Sequence, residues 1–291
     1  MAAALLQYAD AAGLSSAIGQ RCSQAVVDYI LEVSRRMAKT PTQSWSQNRW
    51  QDWAYIVHWA LSQDARGQEQ ALWDAAAQTQ AQSWDWDAYY DQTGVGRTGA
   101  FVGKAIAKFP EGNVSSWTMW DHGVNNGMGT KSCAVWYRQS HNRTDADRLA
   151  HKLHMQDTYQ GQPHGMYSAD ECFGGRNLNR GIELCAVVEQ LYSLQTSFQI
   201  LGQPALLDRV ERIAYNAWPG TLTPDMWQHQ YLQQANEINA LYGITDHVWQ
   251  TDGPDGEERG GAEGEGAVMC VCTQAEWEGR LVVGTKCVIP V

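Results

Sequence analysis

No run of lysine or arginine occurs anywhere in this sequence, and no apolar run approaches the length of a membrane span. Acidic residues outnumber basic ones, 32 to 21, for a formal charge of −11. Nucleic acid and anionic membrane surfaces call for a basic footprint, and a bilayer span calls for about 20 apolar residues. Neither nucleic acid nor a membrane is therefore an expected partner. The opening Met-Ala-Ala-Ala-Leu-Leu lacks a basic lead and soon reaches Asp10, so it does not read as a secretory signal. Alternating Val, Ile and Thr runs are nearly absent ahead of residue 266, which argues against a sheet-based fold. Cysteine totals seven, an odd number without framework spacing. That points away from a disulfide scaffold and toward free or metal-bound thiols. Phosphate loop, dinucleotide fingerprint, Gly-x-Ser-x-Gly and His-Glu-x-x-His are all missing.

What is present is a helix, a short polar turn and another helix, over and over. The pattern predicts helices at Ala2–Ala12 and Val26–Met37, then Arg49–Leu61 and Glu69–Gln80. A long Gly-rich connection follows over Trp84–Val114, with one short helix at Gly99–Ala107. Asp121–Gln139 pairs with Asp145–Met155, and Arg180–Leu201, read as the longest helix, pairs with Ala205–Ala217. Four hairpins without a fixed repeat period predict an all-α ring or stack. Residues 2–217 should then be almost entirely helical, with no sheet of three strands. Tryptophan is abundant at 14 residues. Its flat face suits sugar rings and its bulk suits a helical core, and composition does not separate the two.

Chemistry concentrates between Gly161 and Gln190. The first half of that stretch reads as loop and the second as the start of a helix. Asp170 and Glu171 form an acidic pair, suited to glycosidic acid/base work or simply to solvation. Glu183 and Cys185 lie two apart. They reach one metal ion only if the pair sits at or just before a first helical turn. A carboxylate and a thiolate suit zinc at half the usual ligand count. Otherwise Cys185 is a small hydrophobe and Glu183 a helix-start acid. His122 opens a predicted helix, where it holds a substrate hydroxyl or caps the helix. His164 stands in a Pro-His-Gly turn. Arg49 and Asp52 occupy neighbouring turns of one helix, as a plain ion pair would.

Several long motifs here carry a resemblance. They are Trp120–Met128 (WDHGVNNGM), Gly161–Glu171 (GQPHGMYSADE), Glu183-Leu-Cys185 with Glu189, Asp208–Asn216, Pro224-Asp225 and Trp249–Gly256. Over roughly Ala4 to Gly256 the chain resembles the β-L-arabinofuranosidase-like family, glycoside hydrolase family 127 and its relatives. The resemblance implies an (α/α)6 barrel followed by β-sandwich modules. It implies retaining hydrolysis at the non-reducing end of arabinose-containing glycans, by a cysteine held as a zinc thiolate on one Glu and three Cys. Carried over, Glu183 and Cys185 are zinc ligands and Glu171 the general acid/base. His122 and His164 line the sugar pocket. All five residues are then expected on one concave face.

The chain also departs from that pattern. An adjacent Cys-Cys pair is expected after the Gly-Pro-Asp-Gly run, but this chain has Cys270-Val-Cys272. Near Glu257 the resemblance stops, and a Gly/Glu-rich segment follows. The expected division is an incomplete barrel over 1–256 and an unrelated, irregular or disordered tail over 257–291. With two of four ligands recognisable, the chain is expected to bind zinc weakly and hydrolyse little. The alternative is a non-catalytic helical-hairpin protein that binds carbohydrate or serves a structural role.

Overall fold

A computed structural model describes residues 1–43, 45–91, 119–170, 172–178, 180–222, 226 and 232–235. Eleven α-helices are present among them: α1 (Ala2–Ala12), α2 (Ala17–Met37), α3 (Trp45–Asn48), α4 (Trp50–Gln63), α5 (Glu69–Ala81), α6 (Trp86–Tyr90), α7 (Gly123–Thr130), α8 (Ser132–Ser140), α9 (Arg143–Gln160), α10 (Leu184–Leu201) and α11 (Ala205–Ala214). The protein is all-α in class, an incomplete helical barrel. The hairpins α1/α2, α4/α5, α8/α9 and α10/α11 pack as neighbours, and α7 packs on α10.

Helix starts follow local chemistry. Ser16, Asp85 and Asn142 each accept a backbone N–H from the first turn of α2, α6 and α9. Such a cap satisfies a donor that the helix cannot, and is worth about 1 kcal/mol. The turn between α10 and α11 is made by Gly202, at φ 65, where a side chain would be strained. Apolar residues at helical spacing then bury one face of each helix. Val26, Val27, Ile30, Ala54, Val57, Leu72, Ala75, Leu149, Val187 and Leu194 are all fully enclosed. Each enclosed Val, Leu or Ile contributes roughly 1.5–3 kcal/mol. Most of the described tryptophans serve this core: Trp50 and Trp86 are buried, and Trp53, Trp59, Trp84, Trp120 and Trp136 pack against it.

Five sequence expectations need correction. The longest described helix is α2, with 21 residues against 18 for α10. Two segments read as single helices are not. Asp121–Gln139 divides at Lys131 into α7 and α8, and residues 180–183 precede α10 as strand and turn. A helix at Trp86–Tyr90 lies where only loop was expected. Finally, a small sheet has three of its four strands within 2–217. The strands β1 (Ala169–Asp170), β2 (Cys172–Phe173), β3 (Ile182–Glu183) and β4 (Leu232–Gln233) lie in the order β2-β1-β3-β4. Two-residue strands leave no alternation to see, so the period-two signal could not announce them. The expected Gly99–Ala107 helix and the 257–291 tail lie outside the described residues.

Two glycines let α7 enter the centre. A Cβ on Gly127 would stand 2.8 Å from the Tyr167 hydroxyl and 3.3 Å from the Ala186 carbonyl. A Cβ on Gly129 would stand 2.6 Å from the Trp86 ring. Every residue of α7 is buried. A polar network ties it in place. Gln156 donates to the Tyr90 hydroxyl at 2.8 Å, Tyr90 to Asn126 at 2.9 Å, and Thr130 to Gln190 at 2.9 Å.

Candidate functional site

The break between α7 and α8 puts a lysine where a helix interior would otherwise continue. Lys131 is fully buried, yet its ammonium stands 2.8 Å from Asp52 on α4 and 3.8 Å from Glu189 on α10. It also donates to Ser193 at 3.3 Å and lies 4.9 Å from the centre of the Tyr192 ring. Burying an ammonium costs several kcal/mol unless it is paired and hydrogen-bonded, and here it is both. The two carboxylates above it keep 26% and 29% of their side-chain surface exposed. They therefore remain partly open to solvent, although Glu189 Oε2 itself is enclosed, while their counter-ion is not open at all. Burial is the first cause raising the Glu189 pKa, with the Asp52 charge adding to it; Lys131 and Arg49 oppose the rise.

Aromatic and amide groups surround this charge cluster. Along α10, Cys185, Val188, Tyr192, Gln195 and Gln199 form an exposed stripe at helical spacing. Tyr192 meets Tyr55 of α4 edge to face at 6.5 Å, and the Tyr55 hydroxyl reaches Gln199 at 3.4 Å. On the other side Trp45 is 37% exposed and carries the Arg49 guanidinium 4.5 Å above its ring. Arg49 donates to Asn125 at 2.9 Å. So Arg49 and Asp52 do not form the simple ion pair expected of them. One faces Asn125 on α7 and the other faces Lys131, because α7 offers each a better-desolvated partner.

His122 is buried at the start of α7 and meets Trp45 edge to face at 5.1 Å. Its Nδ1 accepts the Asn125 N–H at 3.3 Å, so it does cap the helix, and that bond places the remaining ring proton on Nε2. A bridge between His122 and Cys172 attaches it to the outer strand of the small sheet. Glu183 lies on β3, two strands further on, and is buried. With strand spacings of about 4.8 Å, the two backbones stand about three spacings apart. One ion cannot take both.

Glu183 is also the N-cap position of α10, and Cys185 is exposed in its first turn. That is the junction at which a pair two apart can serve one ion. Among the described residues, however, no group of three or more His, Cys, Asp or Glu is placed to hold a metal. Two donors do not make a zinc site. The described residues alone do not fit the ion, and Glu171, Cys270 and Cys272 lie outside them. Cys22 and Cys133 are free thiols.

His164 stands in the turn following α9. Its Nδ1 accepts the Met166 N–H at 3.4 Å, and burial pushes its pKa down to about 4. This bond is local to the turn, and Gly165 beside it lies against Arg212 and Ile213 of α11. The turn is thus anchored on the α9/α11 side, and no hydrogen bond among the described residues joins His164 to His122. The sequence reasoning missed Lys131 altogether. Its signal was a single lysine inside the small and apolar run Met128–Val135.

No protein-family model matches the chain, and no curated protein matches it. Two solved structures do. A glycosyl hydrolase of family 88 from Bacteroides vulgatus has 15% identity and a TM-score of 0.47, covering 81% of this chain and 65% of its own. A polysaccharide lyase has 16% identity and a TM-score of 0.48, covering 79% of this chain and 62% of its own. The chain thus spans less than two thirds of each. Likenesses this distant carry no argument about chemistry.

Proposed function

We propose that this chain is a glycoside-hydrolase-type helical domain that binds carbohydrate on the face between α4 and α10. The observation that supports this most is the pairing of exposed aromatic rings with partly solvent-open carboxylates above the buried Lys131. Sugars ask for that combination, an apolar ring face against an aromatic side chain and hydroxyls against fixed acceptors. Trp45 and Tyr192 offer the rings, and Asp52 and Glu189 the acceptors. The finer proposal is a relationship to the zinc-thiolate β-L-arabinofuranosidases, with Glu171 as general acid/base and His122 and His164 as sugar contacts. Glu183 and Cys185 would hold zinc weakly, since a thiolate site needs its full ligand set on supported backbone. Binding is therefore expected to outlast hydrolysis.

Tryptophan fluorescence of the full chain, titrated with a β-L-arabinofuranosyl disaccharide, tests the binding. A saturable change, lost in Trp45→Ala and Tyr192→Ala, is the expected result. Absence of any saturable change would remove the carbohydrate reading. Metal analysis and an aryl β-L-arabinofuranoside assay test the rest. One tightly held zinc per chain, with turnover lost on Cys270→Ser or Cys272→Ser, would show that this chain is a working member of that class.

A further inference from the structure

A second polar region lies on the other side of α10's hairpin. The turn Gly161–Gly165, which follows α9, packs against Arg212 and Ile213 of α11, and between the two helices runs a groove of about 760 Å³. That volume is in the range of small-molecule sites. Leu153 and Leu206 give it an apolar surface, and three arginines line it: Arg176, Arg209 and Arg212.

The three arginines are not equivalent. Arg209 is a bridge between the helices, its two terminal nitrogens donating to the two oxygens of Asp157 at 2.8 and 2.7 Å. Arg176 and Arg212 have no hydrogen-bond or ion-pair partner for their guanidinium groups among the described residues. Arg212 is nevertheless held at its root. The Gly165 backbone, at φ 93, runs so close that a Cβ there would stand 3.0 Å from the Arg212 Cδ. Only a residue free of the Cβ penalty sits there without strain.

Charge gives the groove its meaning. The chain as a whole carries −11. The groove carries three guanidinium groups against Asp157, which Arg209 neutralises, and Asp208. One positive charge is left over in an acidic protein, and guanidinium forks match carboxylate and phosphate oxygens in pairs. Gln162 and Gln203 line the same space and bring amides suited to hydroxyl groups.

We infer that the groove between α9 and α11 binds a small anionic sugar, with the carboxylate or phosphate on Arg176 and Arg212 and the ring over Leu153 and Leu206. This site is separate from the α4/α10 face and does not depend on what that face binds.

The test is an amide NMR titration of the full ¹⁵N-labelled chain at low salt. The probes are D-glucuronate, glucose 6-phosphate, uncharged glucose and inorganic phosphate. Arg176→Gln with Arg212→Gln is the comparison variant, since both side chains are exposed and the double change leaves the Arg209–Asp157 bridge intact. We expect saturable shifts on α9, on the Gly161–Gly165 turn and on α11 with at least one of the two anionic sugars. The response should weaken at least about tenfold in the variant and fall with added salt. Whichever anionic sugar binds tighter identifies the anion. Three results would overturn the inference. They are no saturable shift in the groove up to about 10 mM of either anionic sugar, an undiminished response in the folded variant, and inorganic phosphate binding as tightly as the sugars.

Discussion

The face between α4 and α10 and the groove between α9 and α11 solve the same problem in opposite ways. Both bring charged side chains from separate helices into one place. On the α4/α10 face the cation is buried and its carboxylates are partly open, so Lys131 satisfies its charge within the protein. In the groove Arg176 and Arg212 are open, and only the more enclosed Arg209 has a carboxylate of its own. A charge compensated inside the fold serves stability first. A charge left uncompensated at a surface is available to a ligand. The two regions should therefore answer mutation differently, the first through stability and the second through binding.

Removing Lys131 is the most direct way to break that contrast. Lys131→Ala leaves Asp52 and Glu189 facing one another without a counter-ion and opens a hole beside α7. A loss of about 3–5 kcal/mol is expected, measured by urea unfolding. Lys131→Met with Asp52→Asn should recover much of it, because an apolar replacement needs no partner. If Lys131→Ala proves neutral, the buried pair is not what holds α4 to α10.

Packing around α7 comes next. Gly127→Ala must push on the Tyr167 hydroxyl and on α10 backbone, and Gly129→Ala on the Trp86 ring. Each should cost about 1–3 kcal/mol by the same measurement, despite the better helix propensity of alanine. Equal or greater stability in either variant would mean that α7 can move away from α10.

A pH series separates the two regions by their histidines. His58 on α4 and His164 in the groove's turn both have pKa values lowered to about 4 by burial. Both are neutral in the folded protein, whereas an unfolded histidine titrates near 6.5. Their contribution is therefore complete above about pH 6.5 and is lost as pH falls toward about 4. A loss of about 1–3 kcal/mol over that window is expected from unfolding curves, and His58→Gln should flatten it. Glu189 works the other way, since its raised pKa favours the fold as pH falls and so offsets part of the loss.

The smallest effect should be at the groove's own bridge. Asp157→Asn removes the Arg209 ion pair, whose carboxylate is 53% exposed, and should cost at most about 1 kcal/mol. The same change frees a third guanidinium, so anionic-sugar binding should tighten rather than weaken. Weaker binding in this variant would mean that the Arg209 bridge shapes the groove rather than merely neutralising it.

The sequence alone settled the helical architecture. Ala2–Ala12 was legible to the residue, and Glu69–Ala81 to within one, because helical periodicity and short turns are local signals. It placed a helix ending at Leu201 but began it at Arg180, four residues ahead of α10. Tertiary structure decided the rest. Lys131 interrupts what reads as one helix, and its meaning depends on Asp52 and Glu189, residues 79 and 58 positions away in the chain. The strands Ala169–Asp170, Cys172–Phe173 and Ile182–Glu183 exist only because they pair with one another and with Leu232–Gln233. Neither His164 nor Arg212 carries a local mark of the groove between α9 and α11. Periodicity records which face of a helix is buried, whereas charge pairing, strand pairing and cavities depend on which distant segments meet.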